Sequence, residues 1–473
     1  MTHVVVVGAG VAGLSAAVHV AKLSAGVRVS VLEASARTGG LIETEHDSRG
    51  FLIEHGPDSL MIAKPAAARA LSELALDEDL VRTGGARGSF LLDERDRLLA
   101  LPEGMMSASP SAAWALARSS LLSLRGKLRF FLEPFIPRAR PGAPEESVDA
   151  FFRRRFGAEM AERVVDPLLR GIYGSPIREL GIESVMPRLL EMERRAGSLA
   201  RAGLRAPTGG GPPLVTLRGG MGQLADALER AHRGALRTGV SVRALARRPR
   251  GFRLTLADGG SLDADAVILA VPAWAAARIV EPLDRDLADD LGAIHHSPLA
   301  TVNFAWRTRD VPGPMEGTGF IVSPASRRGL SACTWSSRKW PGRAPEGSAL
   351  IRVFLRDASL GDEDAIATAR AELRELMGVS ARAAASGIAL GSRGWARAPR
   401  RGRGSRSPAT RRAASACPSA SRAARAPPPS PSRRRLSDRK ALHQNGGVHG
   451  SKLELPAHPG ARHRRRGQRH ASC

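Results

Sequence analysis

The stretch that decides the fold is VVVVGAGVAG, residues 4–13, near the start of the 473-residue chain. Its first four residues, all valine, predict a buried β-strand, and its three glycines predict a tight turn. Apolar residues then recur at helical spacing from Leu14 to Ala21, and a second strand is predicted at 27–32. Glu33 ends this strand 20 residues after the last glycine of the turn. The sequence therefore predicts a parallel strand, helix, strand unit.

The glycines and the acid of this unit are suited to a nucleotide site. Gly8 permits the tight turn, Gly10 lets the backbone approach a pyrophosphate, and Gly13 lets the helix pack close to the strand. Glu33 can accept hydrogen bonds from a ribose hydroxyl, and an acid here favours FAD or NAD over NADP. A buried turn without a ligand is the alternative. The predicted contacts are Gly8, Ala9, Gly10, Val11, Ala12, Gly13 and Glu33.

The charge of the chain is unevenly distributed. The formal net charge is +25, but residues 381–473 hold 22 Lys and Arg against 2 Asp and Glu. A cationic tail can bind nucleic acid by releasing counterions, but such tails usually contain lysines and stacking aromatics. This tail has one aromatic residue, Trp395, and two lysines. We therefore predict no nucleic-acid partner.

Cysteine content and hydropathy predict a cytoplasmic protein. Three cysteines cannot form a disulfide framework, and the first residues lack the charged start and apolar run of a secretory leader. No stretch reaches the ~20 apolar residues of a membrane-spanning helix. His295 and His296 are adjacent without carboxylates at ligand spacing, so no metal site is predicted.

Two glycine-containing segments resemble those of a flavoprotein superfamily. RTGG, residues 37–40, follows Glu33 closely, and GPDS, residues 56–59, comes soon after. From the residues alone, paired glycines indicate a close backbone approach or a turn. The pattern is similar to that of the amine-oxidase-like flavoproteins, in which these segments lie near the pyrophosphate and the flavin. The resemblance implies FAD as the cofactor, with contacts from Ala34, Arg37, Gly39, Gly40, Leu41, Gly56, Pro57, Asp58 and Ser59.

Later segments resemble the protoporphyrinogen oxidase family within that superfamily. These segments are DPLLRGIYG at 166–174, RGGM at 218–221, VPA at 271–273, FIV at 320–322 and KWPGRAP at 339–345. Val242 matches a valine whose backbone contacts the adenine in that family. The resemblance implies oxidation of protoporphyrinogen IX or coproporphyrinogen III to the porphyrin in haem biosynthesis, with O2 as the acceptor and H2O2 as the by-product. The cofactor would carry this chemistry, so no catalytic side chain is assigned.

A different flavin-dependent oxidoreductase of the superfamily, acting on amines or carotenoids, is the alternative. An amine oxidase would be favoured by an aromatic cage of paired tyrosines, and Tyr173 is the only tyrosine. Substrate contacts are implied at Arg87, Thr318 and Ile321. The family often has an arginine where Ser89 stands and a phenylalanine where Thr318 stands, so this part of the pattern departs from the family.

The pattern predicts an α/β fold, in which a Rossmann-like FAD-binding domain carries an inserted α+β substrate domain and a helical, membrane-facing region. We place the first part of the FAD-binding domain at 1–88, a mainly helical region at 89–215 and the second part of the FAD-binding domain at 216–275. A substrate-binding sheet domain follows at 276–380. Strands are predicted at 90–92, 98–101, 252–256, 266–271, 301–306, 320–322 and 349–354, and helices at 65–76, 147–170 and 363–377.

Segment 105–137 has the composition of an amphipathic surface. It combines apolar residues (Trp114, Leu116, Leu121, Leu122, Leu124, Phe130, Phe131 and Phe135) with cations (Arg118, Arg125, Lys127 and Arg129). Such a segment can lie in a membrane interface, which would suit a hydrophobic substrate. A buried pair of amphipathic helices explains the same pattern. Peripheral contact with the inner face of the membrane and simple burial therefore remain alternatives.

Residues 381–473 do not read as part of a folded enzyme. They are rich in Arg, Ala, Ser, Pro and Gly and lack apolar periodicity, so we predict a disordered basic tail. By the family resemblance this region should supply a segment that completes the FAD site, and the expected motif is missing. The composition is typical of a GC-rich coding strand read in the wrong frame. We interpret the tail as out-of-frame, which predicts an inactive chain.

Overall fold

The computed structural model describes residues 1–23, 26–62, 65–83, 88–102, 110–139, 142, 144–205, 214–313, 315–379 and 389–394. These residues all belong to one compact unit, Met1–Arg401. The predicted substrate residue Arg87, residues 105–109 of the amphipathic segment and nearly all of the predicted disordered tail lie outside the described residues.

The strands of the described residues are β1 (Thr2–Val7), β2 (Val27–Leu32), β3 (Thr44–His46), β4 (Leu52–Glu54), β5 (Leu60–Met61), β6 (Leu80–Arg82), β7 (Ser89–Leu92), β8 (Leu98–Leu101), β9 (Leu214–Leu217), β10 (Ala235–Arg237), β11 (Val242–Arg247), β12 (Phe252–Leu256), β13 (Ser261–Ala264), β14 (Ala266–Leu269), β15 (Leu299–Arg307), β16 (Gly319–Val322), β17 (Leu330–Thr334), β18 (Ser348–Leu355) and β19 (Ala389–Gly394).

The helices of the described residues are α1 (Val11–Leu23), α2 (Pro65–Glu73), α3 (Pro110–Arg118), α4 (Leu124–Phe131), α5 (Val148–Phe156), α6 (Ala158–Met160), α7 (Asp166–Tyr173), α8 (Ile182–Val185), α9 (Pro187–Ala196), α10 (Leu199–Arg205), α11 (Gly222–Ala231), α12 (Ala273–Val280), α13 (Arg285–Ala293), α14 (Ser336–Lys339) and α15 (Asp362–Met377). No helix in the described part of the chain is long and apolar enough to cross a bilayer.

A four-stranded parallel sheet forms the first layer, in the order β10, β2, β1, β14. Strand β1 is central because its valines are buried on both sides, and α1 follows it directly, so the predicted strand, helix, strand unit is confirmed. An antiparallel sheet of β11, β12 and β13 packs its apolar face against β1. Strands β12 and β13 form a hairpin with its turn at Asp258 and Gly259, where Gly259 has a φ of +89°.

A second region of the same nucleotide-binding part is built from distant segments. Strand β9 pairs with β5 and β6, which precede it by more than a hundred residues. The chain therefore returns at β9 to the sheet that contains β5 and β6.

The largest sheet has seven strands in the order β19, β15, β18, β17, β16, β7, β8. Helix α15 covers one face and contributes Ala365, Ala369, Leu373 and Met377 to the core, as a single helix was predicted to do. Two features of this sheet cross the boundaries predicted from the sequence. Strands β7 and β8 belong to this sheet and not to the helical region 89–215, because β7 pairs in parallel with β16.

Strand β19 is the second departure. It pairs antiparallel with β15, so six residues assigned to the disordered tail 381–473 are part of the sheet. Its sequence, ALGSRG, has low β-propensity. An edge strand tolerates such a sequence because backbone hydrogen bonds hold it to the sheet. The sequence pattern could not reveal it.

The helical region has its own apolar core, drawn mainly from α5 to α9. The helix predicted across 147–170 is interrupted at Gly157, which has a φ of +96°, and again by a π-helical turn at Ala161–Val165. A side chain at Gly157 would bring its Cβ to 2.5 Å from the Cγ of Arg129. The break therefore lets α4 pack closely against the end of α5.

A buried ion cluster holds this region together. The guanidinium of Arg155 is fully buried and pairs with Glu133 and Glu193. Glu133 also accepts hydrogen bonds from the Ser198 hydroxyl and the backbone N–H of Leu199. Removal of one partner of such a cluster leaves an uncompensated charge inside the protein.

We predict that Arg155→Met destabilises the protein by about 3–5 kcal/mol, because Glu133 and Glu193 lose their buried counterion. The midpoint of urea unfolding, followed by helical circular dichroism, measures this loss. The control is Arg195→Met, since Arg195 is 80% exposed in its pair with Glu191 and should cost less than about 1 kcal/mol. Equal midpoints for both variants would contradict the prediction.

Candidate functional site

The glycine turn after β1 is shaped by close backbone contacts. Gly8 has a φ of +103°, and a Cβ there would lie 2.6 Å from the Ala270 carbonyl oxygen. A Cβ at Gly13 would lie 1.9 Å from the Gly8 carbonyl oxygen. A Cβ at Gly10 meets only the Gly40 Cα, at 3.8 Å. Gly8 and Gly13 are therefore required for packing, whereas Gly10 leaves the backbone N–H groups of the turn accessible to a bound pyrophosphate.

Glu33 lies at the end of β2, beside the turn. Its Oε2 accepts a hydrogen bond from the Ala9 N–H at 2.7 Å, and its Oε1 accepts one from the Ser35 N–H at 2.8 Å. The carboxylate is half-buried, so it is fixed in orientation while lone pairs remain for a ribose hydroxyl. The predicted acid and the predicted turn are thus in direct contact.

The RTGG segment also reaches the turn. The Gly39 N–H donates to the Ala9 carbonyl at 2.9 Å, and Gly39 and Gly40 both have positive φ. Arg37 was expected to line the pyrophosphate and flavin side. Its guanidinium instead donates to the carbonyls of Gly40, at 2.8 Å, and Ile42, at 3.0 Å, so it fixes the shape of the loop.

The other expected contacts of this region are distributed around the turn. Val11 is half-buried at the start of α1, while Ala12, Ala34 and Leu41 are exposed. Val242 begins β11 and is 8% exposed, with its side chain packed against the β1 side of the core. The preceding Val240 N–H donates to the Glu33 carbonyl at 2.8 Å, which brings the backbone near Val242 to the ribose side.

The GPDS segment packs against the RTGG loop and against the large sheet. A Cβ at Gly56 would lie 1.8 Å from the Leu41 carbonyl oxygen, so the two segments touch through their backbones. Asp58 accepts hydrogen bonds from Lys339 Nζ at 2.9 Å and from Trp340 Nε1 at 3.0 Å. The Ser59 hydroxyl also donates to Asp58. Asp58 and Ser59 are therefore occupied by structural contacts.

The environment of Asp58 keeps it ionised. Burial alone would raise the pKa of its carboxyl, but the charge of Lys339 and the hydrogen bonds from Ser59, Lys339 and Trp340 outweigh burial and lower the pKa well below its usual range. Asp58 is thus an anion at every pH at which the protein would be used.

Two buried arginines contact the GPDS segment and the strand just before it. Arg352, in β18, donates to the Gly56 carbonyl at 2.7 Å, and burial lowers the pKa of its guanidinium. Arg343 pairs with Glu54 at 3.2 Å, and burial raises the pKa of that carboxyl although hydrogen bonds from Thr44 and Met221 oppose the shift. Sequence reasoning assigned no role to Lys339, Arg343 or Arg352. A lone arginine inside the apolar run of β18 was the available signal.

Two of the three predicted substrate residues, Thr318 and Ile321, lie within the described residues. The Thr318 hydroxyl lies 2.8 Å from the Ser89 hydroxyl and 3.1 Å from the Gly88 carbonyl, so it closes a local network at the end of β16. Ile321 packs against the helical core, and a Cβ at Gly171 of α7 would meet its Cγ2 at 3.3 Å. Arg87 lies outside the described residues.

An apolar surface continues from Ile321 along α7. Ile172 and Tyr173 at the end of this helix are 65% and 45% exposed. On the same sheet face as Ile321 lie Ala332 and Phe354, in the neighbouring strands. The arrangement offers a largely apolar surface beside the GPDS segment. Among the described residues no group of three His, Cys, Asp or Glu side chains is placed to hold a metal ion.

Known proteins share this architecture. The sequence profile of the flavin containing amine oxidoreductases matches residues 11–436. The coproporphyrinogen III oxidase of Bacillus subtilis is 31% identical over 80% of this chain and 83% of its own length. That of Propionibacterium freudenreichii is 34% identical over 80% and 78%. A putative protoporphyrinogen oxidase from Exiguobacterium has a TM-score of 0.72 at 27% identity, covering 83% of this chain and 86% of that chain.

More distant solved structures share the fold alone. A putrescine oxidase has a TM-score of 0.56 at 18% identity, and a UDP-galactopyranose mutase has one of 0.58 at 16%. The prediction of a mixed α/β flavoprotein fold is confirmed by these matches together with the observed sheets. The matching family is one of flavin containing enzymes, so the prediction of FAD as the cofactor is confirmed as well, and the residues around the turn fit a dinucleotide. The chain is an oxidoreductase that belongs to the family of flavin containing amine oxidoreductases.

Proposed function

We propose that the chain is an FAD-dependent oxidase that converts protoporphyrinogen IX or coproporphyrinogen III to the porphyrin in haem biosynthesis, with O2 as the acceptor and H2O2 as the by-product. The proposal is carried by the dinucleotide turn taken together with the relatives that the chain matches. These relatives are named for the two substrates and match 72–80% of the chain. We place the enzyme in the cytoplasm, in peripheral contact with the membrane.

The side chains of this protein would bind and orient the reactants. FAD, when bound, supplies the electron-accepting chemistry. The turn at Gly10 and the carboxylate of Glu33 would hold the pyrophosphate and the ribose. The apolar surface at Ile321 and Ile172 would receive the macrocycle and exclude water from it. Conversion of one porphyrinogen removes six electrons and six protons, which reduce three molecules of O2 to three of H2O2.

A flavoenzyme that oxidises an amine or a carotenoid is the second candidate. The putrescine oxidase structures favour it only at the level of the fold, since they are 18% identical. An aromatic cage of paired tyrosines cannot form, because Tyr173 is the only tyrosine of the chain. We therefore rank the porphyrinogen oxidase first.

We further propose that the chain is translated out of frame after about residue 380. The Arg, Ala, Ser, Pro and Gly composition of 381–473 supports this, as does the 72–80% of the chain that the relatives match. The match of the family profile to residue 436 counts against it. An out-of-frame tail would remove the segment that completes the FAD site, and the chain as written would then be inactive.

The function and the frame are tested together. Coproporphyrinogen III and protoporphyrinogen IX are supplied separately, in air, to the 473-residue chain and to a chain whose frame is restored between residues 380 and 400. We expect fluorescent porphyrin from the restored chain alone, and the better substrate is identified by its initial rate. The gene is also resequenced across this window.

Each proposal has its own contradicting result. An intact reading frame together with a soluble, yellow and active 473-residue protein would overturn the frame proposal and leave the function standing. Absence of porphyrin from a flavin-loaded enzyme, with peroxide formed from an amine, would favour the second candidate.

We expect Gly10→Leu to abolish the yellow flavin absorbance of the frame-restored protein, because the side chain would occupy the space of the pyrophosphate. The matched control is Gly292→Leu in α13, where an added Cβ meets no atom within 4 Å. In their flavin-free forms, both variants should unfold at the temperature of the flavin-free parent. Stoichiometric flavin retained in Gly10→Leu would contradict the assignment of this turn as the pyrophosphate site.

We also propose that segment 105–137 contacts a membrane surface. Leu116, Leu121 and Leu122 pack into the helical core, which satisfies part of the burial alternative. The remaining apolar side chains do not: Trp114, Leu124, Leu128 and Phe135 are 64%, 84%, 65% and 77% exposed. The exposed cations Arg118 and Arg125 lie on the same helices. An apolar surface with a basic rim suits an anionic bilayer.

The double variant Leu124→Glu, Leu128→Glu should reduce cosedimentation with anionic phospholipid vesicles at least tenfold, because each leucine contributes about 1.5–3 kcal/mol when buried. Leu287→Glu in α13 serves as the control, since Leu287 is also exposed, at 43%. Binding of the double variant equal to that of the parent would support the burial alternative.

A further inference from the structure

Strand β15 has two faces with different chemistry. Val302, Phe304 and Trp306 point into the core beneath α15. Thr301, Asn303 and Ala305 alternate with them and face the other way. Ala305 packs with Phe51, which precedes β4, and with Ile53, which lies in β4. This second face of β15 therefore faces the β4 segment and the residues that follow it.

Asn303 occupies the middle of that second face. Its neighbour across the sheet is Arg352, whose guanidinium reaches the Thr301 hydroxyl at 3.4 Å and the Gly56 carbonyl at 2.7 Å. Asn303 thus lies between Ala305, which packs against β4, and Arg352, which holds the GPDS segment. Its side chain is placed on the side of the sheet where the flavin is expected.

The amide of Asn303 is buried without compensation. The residue is 2% exposed, and its Nδ2 has no hydrogen-bond partner among the described residues. A buried amide that donates no hydrogen bond lowers the stability of the protein. Leucine has nearly the same shape and would avoid this cost. Buried polar groups left unpaired in a native structure are frequently those that serve function.

Other buried donors in the described residues lack partners too, and Trp306 is the informative case. Its Nε1 is unpaired, and it is in the same strand, but it lies on the core face under α15. The unpaired donor alone therefore does not identify a ligand contact. The position of Asn303 beside Arg352 and the GPDS segment is what distinguishes it from Trp306.

We propose that the side-chain amide of Asn303 donates a hydrogen bond to an acceptor atom of the bound flavin ring. The ring carries carbonyl oxygens that accept such bonds, and their demand for a donor grows as the ring is reduced and gains negative charge. Asn303 would then bind the reduced flavin more tightly than the oxidised flavin and raise the reduction potential. This inference rests on FAD binding, which is part of the proposed function.

The test compares Asn303→Leu with Trp306→Phe, which removes the unpaired donor from the opposite face of the same strand. FAD affinity is measured by titration of the flavin-free protein, and the reduction potential and visible spectrum are measured on the loaded protein. The 473-residue chain is used if it takes up FAD, and the frame-restored chain if it does not.

We expect Asn303→Leu to bind FAD about tenfold more weakly, the loss of one hydrogen bond to a polar group. Its potential should move to lower values, its flavin absorption bands should shift, and its flavin-free form should unfold at a temperature no lower than that of the parent. Trp306→Phe should leave the affinity, the spectrum and the potential unchanged.

The results that overturn the inference are separate from those that overturn the function. Unchanged FAD affinity and potential in Asn303→Leu, on a parent that binds FAD, overturns this inference alone. A lower unfolding temperature of flavin-free Asn303→Leu would also overturn it, because the amide would then be structural. A parent that binds no FAD in either reading frame overturns both.

Discussion

The site depends on one constraint, the approach of three backbone segments at the end of β1. The Gly8 carbonyl lies where a Cβ of Gly13 would have to be, and the Ala270 carbonyl lies where a Cβ of Gly8 would have to be. Strand β1, helix α1 and strand β14 can meet this closely only because both positions lack side chains. The turn that results presents its N–H groups on the side of Gly10. Glu33 and the RTGG loop are then fastened to that turn by hydrogen bonds to Ala9.

The GPDS segment is held in place by charged side chains of the later sheet domain. The GPDS segment belongs to the nucleotide-binding part of the chain, but Arg352 and Lys339, both from the later sheet domain, hold its Gly56 carbonyl and its Asp58 carboxylate. Such buried charges cost desolvation energy unless each is paired. These contacts hold the GPDS segment against the later sheet domain. The cost is offset by the apolar core under α15.

Local chemistry could be predicted from the sequence, and pairing between distant segments could not. The valine run, the glycine turn and Glu33 are contiguous signals, and the structure has them as predicted. The parallel pairing of β7 with β16 joins residues 90 and 320, and the sequence of neither strand identifies its partner. Arg37 was expected from the family resemblance to line the pyrophosphate and flavin side, and its guanidinium contacts the Gly40 and Ile42 carbonyls and the Glu43 carboxylate.

The two faces of β15 explain why periodicity located the sheet but did not reveal its buried polar face. Alternation with a period of two requires one apolar face, and Val302, Phe304 and Trp306 supply it. It says nothing about the opposite face, which is just as buried: Thr301 and Asn303 are each 2% exposed. A strand buried on both sides is usually apolar on both sides. Polar residues on one buried face therefore indicate a partner with hydrogen-bonding groups, and Arg352 is that partner at Thr301. At Asn303 the same reasoning requires an acceptor that the described residues do not supply.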